Sequence, residues 1–212
     1  MNFSTRKLWL VIAPLMATML LSVGQAQAQC TTTLTSFQYE EGFEAGLGNW
    51  TNVSCDDFDW SIGSGATTSG QTGPTDANNV QGYAYTEATA IGATQTAILE
   101  CPCLTFPTNS APLISFSYHM FGNTTAGMGT LDLEVNTNPS TGNTWTSLFA
   151  LSGNQGNAWT DEVVDLSVYA GTTIKLRWRA VTGTGVNSFR GDRALDDVLI
   201  SNGMEVAPIS CL

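Results

Sequence analysis

A chain of 212 residues with 18 Asp and Glu against seven Lys and Arg carries a net charge of −11, and so acidic a surface repels nucleic acid and anionic membranes. The length suits one domain with a sizeable core. One histidine, His119, is too few for a zinc site of the H-E-x-x-H kind.

In chain order, Arg6 and Lys7 precede an apolar run from Leu8 to Val23, and Ala26-Gln27-Ala28 follows as an A-x-A cleavage site. Residues 1–28 therefore read as a secretory signal and residues 29–212 as one exported domain. The run contains Pro14 and falls short of the roughly 20 residues of a membrane span. No second apolar stretch exists, so the mature chain is expected to have no transmembrane anchor. Gln29 stands where a lipidation signal before Cys30 needs a small residue. The expected location is secreted, at the cell surface or in a periplasm.

The mature part is rich in Gly, Thr, Ser and Asn, and its apolar residues alternate at period two, which predicts strands joined by turns. Successive candidates are residues 36–40, 57–62, 82–88, 94–100, 113–121, 130–135, 144–151, 159–167, 173–181 and 194–201. The clearest is TIKLRWRAV, with Ile174, Leu176, Trp178 and Ala180 on one face and Lys175, Arg177 and Arg179 on the other. Between residues 113–121 and 130–135, GNTTAGMG reads as a turn, and no long helix is visible. Gly63 to Asn79 is the longest stretch without an apolar pattern; loops of this kind are mobile or functional. Roughly ten short strands at regular spacing predict an all-β, two-sheet sandwich.

The blocks GFEAGLGNW (42–50), DDFDWSIGSG (56–65), TGPTDAN (72–78), GYAYTEA (82–88), ISFSYHMFG (114–122), GTLDLEV (129–135) and GDRALDDVLI (191–200) occur in this order. Together they resemble the MAM domain family, the extracellular module of meprins, neuropilin-type receptors and receptor tyrosine phosphatases. The resemblance implies an antiparallel jelly-roll β-sandwich that acts in cell adhesion, self-association or protein binding, with no catalytic machinery and thus no enzyme activity. It departs from the family in its cysteines: Asn49 stands where animal members usually have Cys.

Export makes disulfides the default for the five cysteines, and the odd number leaves one free thiol or one bond to another chain. Cys30 and Cys211 bracket the domain, and chain ends often lie close together, so that pair is the first expectation. Cys55 with Cys101 or Cys103 is the second. Cys101 and Cys103 are not expected to bond across Pro102.

The resemblance places Glu44, Asp57, Asp59, Asp76, Asp196 and Asp197 in the family's cation-binding region, where the first and last strands meet, and implies calcium as the cofactor. Calcium takes about six to eight oxygens from carboxylates and carbonyls, so a site can be assembled from distant segments. The plainer reading is that these acids are solvated turn and strand-edge residues. Leu195 and Val198 fall on opposite faces by alternation, which leaves open whether Asp196 or Asp197 turns inward.

Arg190-Gly191-Asp192 spells an integrin-ligand tripeptide, but Gly-Asp already belongs to the block at this place; an Arg190 or Arg193 that neutralises nearby carboxylates is the favoured reading. His119 has the outer-face parity of its strand, which gives a Ser-His-Asp set no support. The rival to a protein-binding module is a carbohydrate-binding one acting beside a secreted hydrolase. Trp145 and Trp159 follow polar loops and are its freest candidates, and two coplanar exposed tryptophans would favour a glycan. Lys175, Arg177 and Arg179 are expected to pair across strands with acids such as Asp132 and Glu134.

Overall fold

The computed structural model describes residues 30–79, 81–122, 125–185 and 187–203, so the signal segment 1–28 and Cys211 lie outside the described residues. The strands begin with β1 (Thr33–Leu34), β2 (Tyr39–Glu41), β3 (Thr51–Asn52), β4 (Ser61–Gly63), β5 (Tyr83–Thr86) and β6 (Thr96–Glu100). They continue with β7 (Cys103–Thr105), β8 (Leu113–Met120), β9 (Thr130–Asn136), β10 (Thr146–Ser152), β11 (Thr160–Asp165), β12 (Thr173–Val181) and β13 (Arg193–Ser201). A single helical turn, α1 (Thr125–Met128), stands within the stretch expected to be a plain turn.

Strands β1, β3, β6, β7, β9, β10 and β12 form sheet one, and β2, β4, β5, β8, β11 and β13 form sheet two. The result is the expected jelly-roll sandwich, antiparallel apart from the short parallel pair β1 and β7. Alternation sets the core. In β12, Ile174, Leu176, Trp178 and Ala180 are fully buried, and Trp178 meets Phe116 of sheet two edge to face with ring centroids 4.6 Å apart. Burying each large apolar side chain contributes about 1.5–3 kcal/mol.

Strand β8 lies along one side of β13, while the other side is shared: β5 pairs with Arg193 to Leu195 and β2 with Val198 to Ile200. At the seam the register shifts between Asp196 and Leu199, and Asp197 adopts φ 50°. This β-bulge inserts one extra residue and returns both Leu195 and Val198 to the core, so strict alternation fails at this point.

The cysteine expectations are corrected. Cys30 bonds Cys103, not Cys211, because the start of the chain pairs beside β7 in register Thr33 with Cys103. Cys55 is an exposed thiol and Cys101 a buried one, so neither joins the second expected pair. The Cys101 Sγ accepts the Leu176 N–H, and burial pushes the thiol up to about 12.

Candidate functional site

The loop from Ser64 to Asn79 packs on the outer face of sheet two. The Thr72 hydroxyl donates to Phe121 O, and Thr72 forms an isolated bridge with Gly122. The stretch that the sequence leaves without an apolar pattern is therefore docked through its polar groups. Beyond these anchors, Pro74 to Asn79 crosses over β8 and β13.

Asn78 is the centre of the arrangement. Its N–H donates to Asp196 Oδ2 at 2.9 Å, and its side-chain amide donates to Asp197 Oδ2 at 2.9 Å and Ser117 Oγ at 3.0 Å. Asn79 Nδ2 adds a second donor to Asp197 Oδ2, and Ser117 Oγ donates to Asp161 Oδ1 at 2.6 Å. Asp196, Ser117 and Asp161 stand in register across β13, β8 and β11, so a polar row runs over the sheet beneath the loop. Asp196 is 1% exposed. Burial, with the charges of Asp197 and Glu44 adding, holds its carboxyl up at about 6 against the N–H groups of Asn78 and Asp197.

Glu44 arrives from the chain after β2. Gly82 makes this approach feasible, since a Cβ there would meet Phe43 O at 2.5 Å and Glu44 Cα at 2.8 Å. Both Glu44 oxygens accept the Gln81 N–H, at 3.2 and 3.0 Å. The bulge, the loop and the chain after β2 thus meet at one seam. Beside it lies a groove of about 600 Å³ lined by residues that include Asn78, Asn79, Ser117, Asp161, Glu162 and Asp197.

The six predicted acids divide. Glu44, Asp196 and Asp197 gather at the seam. Asp76 lies on the same loop but turns to its own strand of chain, accepting the Ala77 N–H. Asp57, in the connection between β3 and β4, accepts the Thr96 N–H of sheet one at 2.8 Å, and Asp59 is exposed nearby. Among the described residues no three His, Cys, Asp or Glu side chains converge as a ready ligand set. Sequence reasoning missed Asn78, Asn79, Ser117 and Asp161, whose only local signal is the Asp-Ala-Asn-Asn run in the long loop.

Asp192 is fully buried, which withdraws the Arg-Gly-Asp tripeptide from any adhesion receptor. Arg193, also fully buried, donates to Thr86 Oγ1, Met128 O and Val181 O, joining sheet two to sheet one at the end of the core. Its charge also acts on Asp192, while Arg190 stacks on Phe189. His119 keeps the predicted outer parity but is only 2% exposed, because the loop and Trp159 cover it. Its Nε2 pairs with Asn157 Oδ1, and burial pushes it down to about 4.

Trp145 lies under the Arg177 guanidinium on sheet one, and Trp159 is pinned on sheet two through Nε1 to Asp76 O. Each is partly buried and they occupy opposite faces, so they form no shared platform for a sugar. The chain is a two-sheet jelly-roll sandwich with a polar seam at its bulge. The sequence profile of the MAM domain, meprin/A5/mu, matches residues 42–204, and the chain belongs to this family of extracellular modules.

Among its relatives, MAM domain-containing glycosylphosphatidylinositol anchor protein 2 of Mus musculus is 35% identical over 97 residues, 46% of this chain and 9% of that protein. Neuropilin-1a of Danio rerio is 32% identical over 152 residues, 71% of this chain and 16% of that protein. The chain thus spans a small part of these relatives. Among solved structures, the K1 cleaved adhesin domain of Lys-gingipain from Porphyromonas gingivalis W83 shares the fold at a TM-score of 0.54, with 22% identity, 80% of this chain and 100% of that one. The K3 adhesin domain of the same protein gives 0.51 at 16% identity, covering 78% and 98%.

Proposed function

We propose that this chain is a secreted protein-binding module whose acidic outer face of sheet two docks a basic segment of a partner protein. The observation that carries this reading is the segregation of charge. Among the described residues the cations Lys175, Arg177 and Arg179 lie on sheet one, Arg193 is buried and Arg190 lies at the end of the sandwich. None lines the groove, which carries Asp161, Glu162 and Asp197. Complementary charge steers association and gives specificity. Among the described residues Lys175 and Arg177 are already paired with Glu100 and Glu134, which favours a different protein over a second copy as the partner.

A lysine-rich synthetic peptide of about twelve residues is the probe, with its glutamate counterpart as control. Binding measured by surface plasmon resonance should weaken as salt rises, and Asp161→Lys with Val163→Lys should abolish it. Equal binding by the variant, or preference for the acidic peptide, removes the reading.

The same reading includes calcium at the seam. Asp196 is the reason: a buried carboxyl beside Asp197 and Glu44 invites a cation, and carboxylate oxygens are the ligands calcium takes. Asp196, Asp197 and Glu44 would hold it, and its charge would offset their repulsion. Calcium at about 100 times its dissociation constant stabilises by about 2.7 kcal/mol, which raises the unfolding midpoint by roughly 5–10 °C in a domain of this size. A calcium-dependent shift retained in Asp196→Asn, or none in the wild type, removes the site.

A further inference from the structure

The Asp192 carboxylate is buried from all sides, yet only one of its oxygens is matched: Oδ1 accepts the Ala88 N–H at 2.9 Å, and Oδ2 has no donor in hydrogen-bond geometry. Glu87 repeats the pattern. Its Oε1 accepts the Thr89 N–H at 2.9 Å, while its buried Oε2 is unmatched. The two side chains lie within hydrogen-bonding reach of each other, with the Thr67 hydroxyl beside Asp192. Two facing carboxylates away from water repel strongly unless something positive stands between them.

Asp192 is also where the long loop is tied down. Its N–H donates to Thr72 Oγ1 at 2.9 Å, Thr67 Oγ1 donates to Thr72 O, and Ser69 Oγ bonds Thr89 Oγ1 next to Glu87. Gly73 N donates to Phe121 O in the same anchorage. A few residues further on, Asn78 and Asn79 form the wall of the groove.

We propose that Asp192 and Glu87 share one proton, and that this proton latches the loop carrying Asn78 and Asn79 onto sheet two. The inference concerns control of the groove and so extends the docking reading above. One carboxyl O–H donates to the other carboxylate, matching both orphan oxygens; when that proton leaves to solvent, two buried anions face each other beneath Thr67 and Thr72. The other ionisable groups around the pair are Tyr83 and Tyr85 from β5, both raised by burial, and Arg193 from β13, lowered only to about 10. These keep their protonation between pH 4 and 8, whereas Asp196, raised to about 6 beneath the Asn78 N–H, titrates in the same range further along the loop, which is why the readout is taken at Gly73.

Burial, with the Glu87 charge adding to it and the Ala88 N–H working against it, leaves the Asp192 carboxyl raised to about 6. The folded pKa thus lies above the unfolded value, so the latch is fully present at low pH and is lost as pH rises through about 6.

The test is hydrogen exchange of the loop amides of the full exported chain, in chelator and without any partner, between pH 5 and pH 8. After correction for intrinsic rates, the amide of Gly73, which donates to Phe121 O away from Asp196, should exchange on the order of tenfold faster at pH 8, as about one pKa unit lost between pH 5 and 8 implies. Glu87→Gln supplies a permanent N–H donor and should flatten the profile, and Asp192→Asn should do the same from the other side. A wild type with no pH dependence, or variants that keep it, overturns the latch. Restoration of protection at pH 8 by calcium in a Glu44→Gln background also overturns it, because a cation would then hold the pair. The measurement involves no partner, so failure of peptide docking leaves its outcome intact.

Discussion

On the outer face of sheet one each cation meets an acid. Lys175 pairs with Glu100, Arg177 Nε reaches Glu134 Oε2 at 2.6 Å, and Arg179 stands in register with Asp132 and acts on its charge. On the outer face of sheet two, Asp196, Asp197 and Asp161 meet amides and a hydroxyl, and a loop replaces the counter-charges. Away from the bulge in β13, both faces obey the same alternation along their strands. The difference lies in what each register brings opposite: acids facing bases on one sheet, hydroxyl and amide groups on the other. Sheet one therefore presents a neutralised surface, and sheet two an acidic one whose polar groups depend on the loop staying in place.

The largest effect expected on this contrast comes from the edge of sheet one. Replacing Cys30 and Cys103 by Ser opens a loop of 73 residues, worth about 4 kcal/mol in the chain-entropy model, and chemical denaturation should show that loss. Next comes the link between the sheets: Arg193→Met leaves Met128 O and Val181 O without their donor and should cost about 3 kcal/mol in the same assay.

Sheet two should then show an acid response of its own. The folded-state pKa of His119 is lowered, so its contribution is complete above pH 6.5 and lost as pH falls toward 4. With solvent screening allowed for, this amounts to about 2 kcal/mol, and the pH dependence of stability should lose that component in His119→Gln. If the component remains, the cover formed by the loop and Trp159 is not what keeps His119 neutral.

On sheet one, a double-mutant cycle on Arg177 and Glu134 should give a coupling of about 0.5–1 kcal/mol, a modest value for a partly exposed pair. The smallest effect belongs to Val163→Lys on the 63% exposed edge of sheet two: a stability change under about 0.5 kcal/mol, accompanied by loss of the basic-peptide binding proposed above. A large destabilisation there would mean that this edge is structural and not a docking face.

The amino-acid sequence by itself determined the sandwich, its core faces and the family. Period-two alternation in residues 173–181 placed Ile174, Leu176, Trp178 and Ala180 inside, and burial of apolar area needs no knowledge of the partner strand. It also placed Lys175, Arg177 and Arg179 outside, with acids such as Asp132 and Glu134 across the strands; the structure gives Lys175 to Glu100, Arg177 to Glu134 and sets Arg179 opposite Asp132. Only the tertiary structure decided which cysteine Cys30 meets, which of the six acids gather, and that His119 is covered although its parity points outward. Each of these depends on segments remote in sequence: β1 beside β7, the chain after β2 beside Gly82, and the long loop over β8. The bulge at Asp196 and Asp197 is the sharpest case, because one extra residue reverses the alternation from which a side chain's direction is read. Loop packing and strand exchange along β13 follow from contacts across more than a hundred residues, for which no local pattern encodes a direction.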